Sequence, residues 1–408
     1  MNTYFLDLHV HIGRDGEGKA VKITASKELT LPNILQECVA RKGIELIGIV
    51  DCGTFGVLSD LKKLIACGDL VELAKGGWRF REKATLFAGV ELETVESNGG
   101  RAHHLCYFPN MNKLEDFARF IWQKVKNNRL SSQVCYLTTK QLFQEVKKRA
   151  GIFIPAHVFT PYKGLYGNCC NRLSDLLGDA ADEITVIELG LSADRQMALL
   201  IPELRKRLFI ANSDAHSLDK IGREYNQVVM NAPTFEDLAN LLTGQRGKIV
   251  ANYGLDPKLG KYHRSFCLNC NSPLTQMPPI DCCPSCGERK NLVVGVLDQI
   301  MSIAAIQNAV ETENSKINVG HETNKQETKE QTYNYQIPLS FLPGIGKKTK
   351  ERLLATFGTE MNILHRSSQE EIAGIVGEKL ARLIIKGRQG ELTVSPGGGG
   401  VYGQITAQ

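Results

Sequence analysis

No stretch of the 408 residues approaches the roughly 20 consecutive apolar side chains of a membrane span. The opening MNTYFLDLHVHIG has neither the basic region nor the apolar core of a secretion signal, so a cytoplasmic location is expected. A large charge of one sign is also missing. The 49 Lys and Arg stand against 44 Asp and Glu, a net +5 that permits nucleic acid as a partner without requiring it. No repeat at solenoid spacing appears. Between 312 and 333 apolar residues are scarce: only Ile317, Val319 and Tyr333 interrupt a polar run in which no core can form. Elsewhere a 42% hydrophobic, 23% charged composition is that of a soluble globular chain, long enough for two or three domains.

Twelve cysteines are present, but they are not spaced as a disulfide framework. Cys38, Cys52, Cys67, Cys106 and Cys135 stand alone in apolar segments, where free cysteine is a small core residue. Five others crowd into 267–286, which points to a metal site in a reducing compartment.

From residue 3 to about 232, short apolar strands alternate with amphipathic helical patterns such as PNILQECVARKG and TKQLFQEVKKRAG. Strands are expected at 3–10, 44–50, 85–91, 102–108, 151–156, 184–189 and 208–212. A further strand at 227–232 and a helix at 234–243 should complete the unit. This alternation predicts a parallel α/β barrel with chemistry at the C-terminal strand ends.

Those ends carry His9 and His11, Asp51, Glu91 with Glu93, His103 and His104, His157, Glu188, and Asp214 with His216. Six of the nine histidines fall there. A single histidine at a strand end is more often structural, but every end offers a nitrogen or oxygen ligand. Such convergence of charge needs cations to neutralise it. Strand alternation lets one of His103 and His104 face the mouth, and His104 is the favoured one. Cys52, beside Asp51, is as readily a buried thiol as a ligand.

The motifs DLHVHIG, GIVD, GVELE, HHLCYFP, PAHVFTP, IELGLSAD and NSDAHS resemble those of the polymerase-and-histidinol-phosphatase (PHP) family of metal-dependent phosphoesterases. The resemblance implies a distorted (β/α)7 barrel over 1–245 holding two or three divalent cations (Zn, Mn or Mg). The implied ligands are His9, His11, Asp51, Glu91, His104, His157, Asp214 and His216, with Asp214, Glu91 and His157 at the catalytic centre. Two departures mark this chain. The family's Asp-His pair is Asp51-Cys52, and its Ser-Asp-Gly is Arg14-Asp15-Gly16, which implies that one metal position is built differently.

Two smaller modules follow. Cys267-x2-Cys270 and Cys283-x2-Cys286 have the spacing of zinc knuckles, within a module at 246–311 that includes a basic lead-in and a helix; Cys282 is spare. One structural zinc is expected there. After a polar linker or insertion at 312–333, FLPGIGKKTKERLLATFG resembles a helix-hairpin-helix within a unit at 334–394. There Gly344 and Gly346 would let backbone N–H groups approach a phosphate, and Lys347 and Lys348 would add charge. A weaker copy lies at 373–385, and 395–408 reads as a Gly-rich tail.

The order barrel, zinc module, helix-hairpin-helix resembles a family of DNA repair endonucleases. That resemblance implies nicking 5′ of uracil, hypoxanthine, xanthine or an abasic site in double- or single-stranded DNA, leaving a 3′-hydroxyl. A replication sliding clamp is a candidate partner. Cations at the mouth would activate water for in-line attack and stabilise the departing 3′-oxygen. Reading a base turned out of the stack needs amide, hydroxyl or aromatic groups, for which Ser192, Asn212, Tyr162 and Tyr166 are candidates. A small-molecule phosphatase would need neither accessory module. A non-catalytic DNA-binding adaptor should have lost several carboxylates.

Overall fold

The computed structural model describes residues 1–317 and 331–406. Seven strands form the barrel: β1 Asn2–Val10, β2 Leu46–Ile49, β3 Ala84–Val95, β4 Arg101–Tyr107, β5 Ile152–Pro155, β6 Val186–Glu188 and β7 Leu208–Ile210. β1, β2 and β3 run parallel, with Leu6 opposite Leu46 and Leu46 opposite Thr85. β6 and β7 are also parallel. The ring closes through hydrogen bonds rather than full ladders: Val158 N–H to Glu188 O (3.1 Å), Leu189 N–H to Ile210 O (3.0 Å) and His11 N–H to Ala215 O (3.1 Å).

The expected all-parallel sheet is corrected between β3 and β5, where both pairings are antiparallel. Only residues 96–100 separate β3 from β4, too few for a crossover helix, and Gly99 turns the chain at φ +82°. A second correction concerns the expected strand at 227–232. It forms as β8 (Tyr225–Met230), but it pairs antiparallel with the first half of β1 and extends the sheet outward. β9 (Lys248–Gly254) lies beyond it.

Leu6, Leu8, Leu46, Phe87, Leu105, Tyr107, Ile154, Val186 and Ile210 form a buried cluster that continues into helix Phe235–Leu242. A larger cluster packs the surrounding helices against the sheet. Burying a side chain of this kind contributes about 1.5–3 kcal/mol. Local signals set the helix ends. Pro32 stands in the first turn of Leu31–Glu37, and a Thr138–Gln141 capping box opens Thr139–Lys147.

The polar stretch 312–333 is not a single linker. Helix Val296–Ile317 runs through its start, and the Gln307 amide of that helix donates to Glu203 Oε1 and Asn171 O (both 2.6 Å). At its end β10 (Thr332–Tyr335) joins the sheet parallel to β9, and the Gln331 amide donates to Asn252 Oδ1 (2.7 Å). Strand pairing satisfies the backbone and so holds a segment whose side chains cannot form a core. Residues 318–330 lie outside the described residues.

Four helices follow, Lys347–Phe357, Glu360–His365, Gln369–Val376 and Glu378–Gln389, and they dock on the barrel. Lys42 Nζ lies 2.9 Å from Glu360 Oε1, and Lys350 Nζ lies 2.8 Å from the same oxygen and 2.5 Å from Asp219 Oδ1. The His365 ring packs 4.6 Å from that of Phe5. The Gly-rich end is likewise not a loose tail. Thr393–Ser395 and Gln404–Thr406 pair as a hairpin, and Gly397 and Gly403 donate to Lys258 O (2.8 Å) and Leu259 O (3.0 Å). The glycines are required because they cross Phe266: a Cβ at Gly399 would stand 2.6 Å from its ring.

Candidate metal centre and DNA-binding modules

The register between β1 and β2 shifts between Asp7 and Val10, an irregularity of the kind that re-aims side chains beside active sites. Beyond it His9 and His11 both reach the mouth. His9 Nδ1 is held 3.0 Å from Glu188 Oε1, and His11 Nδ1 is held 3.1 Å from Asp51 Oδ1. Both Nε2 atoms are buried without a hydrogen-bond partner. This is the arrangement in which an outer carboxylate fixes the ring so that the free nitrogen meets a metal.

Two ligand groups result: His9, His11 and Asp214, and Glu91, His103 and His157. Glu91 joins them, with Oε1 3.4 Å from His9 Nε2 and Oε2 3.5 Å from His11 Nε2. Asp214 Oδ1 lies 3.6 Å from His9 Nε2 and 3.4 Å from His11 Nε2, and about a third of its side chain is open to the mouth. Asp214 (φ +44°) and His157 (φ +30°) both carry left-handed backbone, strain of the kind that persists where the surroundings over-determine a functional residue.

The charges are strongly coupled. Burial works to lower the pKa of His9, but Glu188 and Asp214 outweigh it and hold it well above the imidazole range. His11 and His103 are raised in the same way by Asp51 and Glu91. Burial would raise Glu91 and Asp214, yet His103 and Lys22 beside the first, and His9 and His11 beside the second, hold both carboxyls well below their usual values. At all three imidazoles the neighbouring carboxylates favour positive charge, the same charge that a cation would supply.

The expected ligand set needs two changes, at His104 and Asp51. His104 faces away: its Nε2 bonds Thr94 Oγ1 (2.9 Å), its ring stacks on Phe153 (4.9 Å), and burial, then His103 and His157, depress its pKa to about 3. Cross-strand register is the reason, because Glu93 stands opposite His103 and Glu91 opposite Leu105, which puts His103 on the glutamates' face. Asp51 stands behind His11 and accepts from Ile12 N–H (2.6 Å). His216 packs 4.7 Å from the His11 ring, with its Nδ1 3.6 Å from Asp214 Oδ1, at the edge of the first group. Cys52 is a buried thiol, with burial and then Asp51 pushing its pKa upward.

Of the base-reading candidates, Asn212 is already committed, accepting from Leu8 N–H (2.9 Å) and donating to Glu188 Oε1 (2.7 Å). Tyr166 is core, with its hydroxyl donating to Glu203 Oε1 (3.0 Å). Tyr162 is 75% exposed in the loop after β5, and Ser192 lies half-buried in the loop after β6. Sequence reasoning missed Lys22, whose Nζ lies 3.1 Å from Glu91 Oε2 and 2.5 Å from Ser132 Oγ. Burial would discharge it, but Glu91, Asp51 and Asp214 keep it cationic. No motif marks it, because a loop carries it there.

In the four-cysteine module the sulfur atoms of Cys267, Cys270, Cys283 and Cys286 lie within 4.8 Å of one another. Two separations, 3.7 Å (Cys267–Cys286) and 3.8 Å (Cys270–Cys283), match the roughly 3.8 Å edge of a tetrahedron with Zn–S near 2.3 Å. Cys282 takes no part. In the C-terminal unit Gly344 has φ +87°, Gly346 caps helix Lys347–Phe357, and Lys347 and Lys348 are exposed. Gly377 repeats the arrangement before Glu378–Gln389.

Residues 337–389 match the family described as SAM-like helix-hairpin-helix tandem, and residues 195–245 match the PHP-associated family. The uncharacterized protein YqxK of Bacillus subtilis is 41% identical over 408 residues, covering 99% of this chain and 100% of that protein. The uncharacterized protein MJ0043 of Methanocaldococcus jannaschii is 34% identical over 277 residues, covering 61% of this chain and 31% of that protein. The lesion-specific endonuclease PfuEndoQ of Pyrococcus furiosus superposes with a TM-score of 0.80 at 28% identity, over 99% of this chain and 95% of that one. Endonuclease Q bound to a 27-mer duplex with an abasic lesion at its active site gives 0.78 at 28% identity, over 100% and 97%. Fold and site together define a PHP-type phosphoesterase core joined to a helix-hairpin-helix tandem. More narrowly, the chain belongs to the endonuclease Q family.

Proposed function

We propose that this protein is a metal-dependent DNA repair endonuclease that nicks the phosphodiester 5′ of a deaminated base (uracil, hypoxanthine or xanthine) or of an abasic site. The observation that carries the reading is the end-to-end similarity to endonuclease Q solved on abasic-lesion DNA, together with two three-residue groups at the barrel mouth that could each hold a metal ion. Bound divalent cations, Zn, Mn or Mg, supply charge stabilisation at phosphorus and an acidified water. His9, His11 and Asp214 would hold one, and Glu91, His103 and His157 another. Asp51 and Glu188 keep the imidazoles of His11 and His9 aimed inward. Tyr162 and Ser192 are the rim residues free to meet a nucleotide turned out of the stack. The hairpins at Gly344–Gly346 and Gly377 would grip backbone phosphates without reading sequence.

The test is direct. Labelled duplexes carrying one uracil, hypoxanthine, xanthine or abasic site are incubated with Mg²⁺, Mn²⁺ or Zn²⁺. A single nick 5′ of the lesion, leaving a 3′-hydroxyl, is expected. Release of phosphate from small monoesters with every duplex left intact would overturn the reading.

A further inference from the structure

Lys22 stands on the loop after β1, outside every motif that marks the ligand ring. Its backbone is fixed from both sides: Lys22 N–H donates to Ile12 O (2.9 Å), and Ser131 N–H donates to Val21 O (3.0 Å). Its ammonium is fixed as well, 3.1 Å from Glu91 Oε2 and 2.5 Å from Ser132 Oγ, and the Ser132 hydroxyl also bonds Glu91 Oε2. Ser132 pays for this aim with φ +51°, left-handed backbone on a side chain that gains nothing from it locally. The lysine side chain keeps 15% of its surface open, and its ammonium lies beside Glu91 of the ligand groups.

The hydrogen-bond count gives the arrangement a purpose. An ammonium has three N–H groups; Glu91 and Ser132 accept two of them, which leaves one donor and a positive charge beside the ligand ring. We propose that Lys22 is a catalytic residue whose ammonium donates a hydrogen bond to a non-bridging oxygen of the scissile phosphate and stabilises the charge that grows there during attack. Lys22 keeps its proton throughout. The water oxygen bonds to phosphorus, the P–O3′ bond breaks, and the proton lost by water balances the one gained by the 3′-oxygen. Preorganised donors of this kind contribute roughly a hundredfold or more to rate.

This inference rests on the endonuclease reading, and the test separates the two. Lys22→Met, Lys22→Arg and Ser132→Ala are compared with the wild type in saturating Mn²⁺. The readouts are metal content, lesion-duplex affinity and single-turnover cleavage, on plain DNA and on DNA with each phosphorothioate diastereomer at the scissile position. Lys22→Met should keep wild-type metal content and bind duplex within about threefold, yet lose roughly a hundredfold or more in rate. Lys22→Arg should recover part of the rate, and Ser132→Ala should lose less than Lys22→Met. Sulfur at one of the two oxygens should slow the wild type and no longer slow Lys22→Met. Wild-type cleavage by Lys22→Met, loss of barrel metal from it, or an unchanged sulfur penalty at both diastereomers would each overturn the proposal. If the wild type nicks no lesion duplex but hydrolyses bis(p-nitrophenyl) phosphate, the endonuclease reading fails. The Lys22→Met rate on that diester then still decides the role of Lys22.

Discussion

Glu91 and His103 meet across the β3–β4 hairpin, with 2.9 Å between Oε1 and Nδ1, while the adjacent His104 points to the opposite face and packs on Phe153. Two neighbouring histidines therefore have separable consequences. His103→Ala should lower barrel metal content and cut nicking by about 100-fold or more, with melting temperature near wild type. His104→Ala should destabilise by about 1–3 kcal/mol, through lost packing on Phe153 and a lost hydrogen bond to the Thr94 hydroxyl, yet keep its metal. Metal analysis and thermal melts of the pair check both.

Asp214→Asn keeps shape and loses ligand charge. Nicking should fall by about 1,000-fold or more with metal in excess, while lesion-duplex binding persists, because the helix-hairpin-helix tandem lies elsewhere. Wild-type nicking by this variant would remove Asp214 from the centre.

Metal uptake should depend on pH with a definite sign. His9, His11 and His103 are raised above the usual imidazole value of 6.5, so the metal-free site holds protons more tightly than free imidazole does and a cation must compete with them. Apparent affinity should rise as pH increases through and above 6.5. Calorimetry in buffers of different ionisation enthalpy should show net proton release at pH 7.

The four-cysteine module should behave as one unit. Cys270→Ser or Cys283→Ser should release one zinc per chain and expose 262–295 to protease, since three thiolates do not close the tetrahedron. Cys282→Ser should keep its zinc and its protease resistance.

Grip and docking can be separated within the C-terminal unit. Lys347→Ala with Lys348→Ala should weaken duplex binding and lower the slope of log affinity against log salt by roughly one for each phosphate no longer neutralised. Single-turnover cleavage should recover at high protein concentration. Glu360→Gln acts differently, because it removes the carboxylate shared by Lys42 and Lys350 at a buried junction where Asp219 still bonds both, and it should cost about 1.5–3 kcal/mol of stability. For the same reason, deleting 334–408 should destabilise the barrel, whose β9 edge and Phe5 face that unit covers.

Much of this protein is determined by residue order alone. Alternating apolar and helical periods placed all seven barrel strands to within a few residues. The convergence of His9, His11, Glu91, His157 and Asp214 on one mouth was recognisable because His, Asp and Glu recur at strand ends, and the two CxxC knuckles because their spacing by itself brings four sulfurs together. Those signals are local, written in neighbours a few residues apart. Only tertiary structure decided between His103 and His104, since the face a side chain takes depends on cross-strand register, here Glu93 opposite His103. It moved Asp51 and Asn212 from contact groups to supports, because a carboxylate or amide bonded on both sides is no longer free. It also joined 331–335, Lys350 and the glycine run to the rest of the molecule. Those pairings link residues about 80 to more than 130 positions apart, and no local pattern encodes a pairing at that distance.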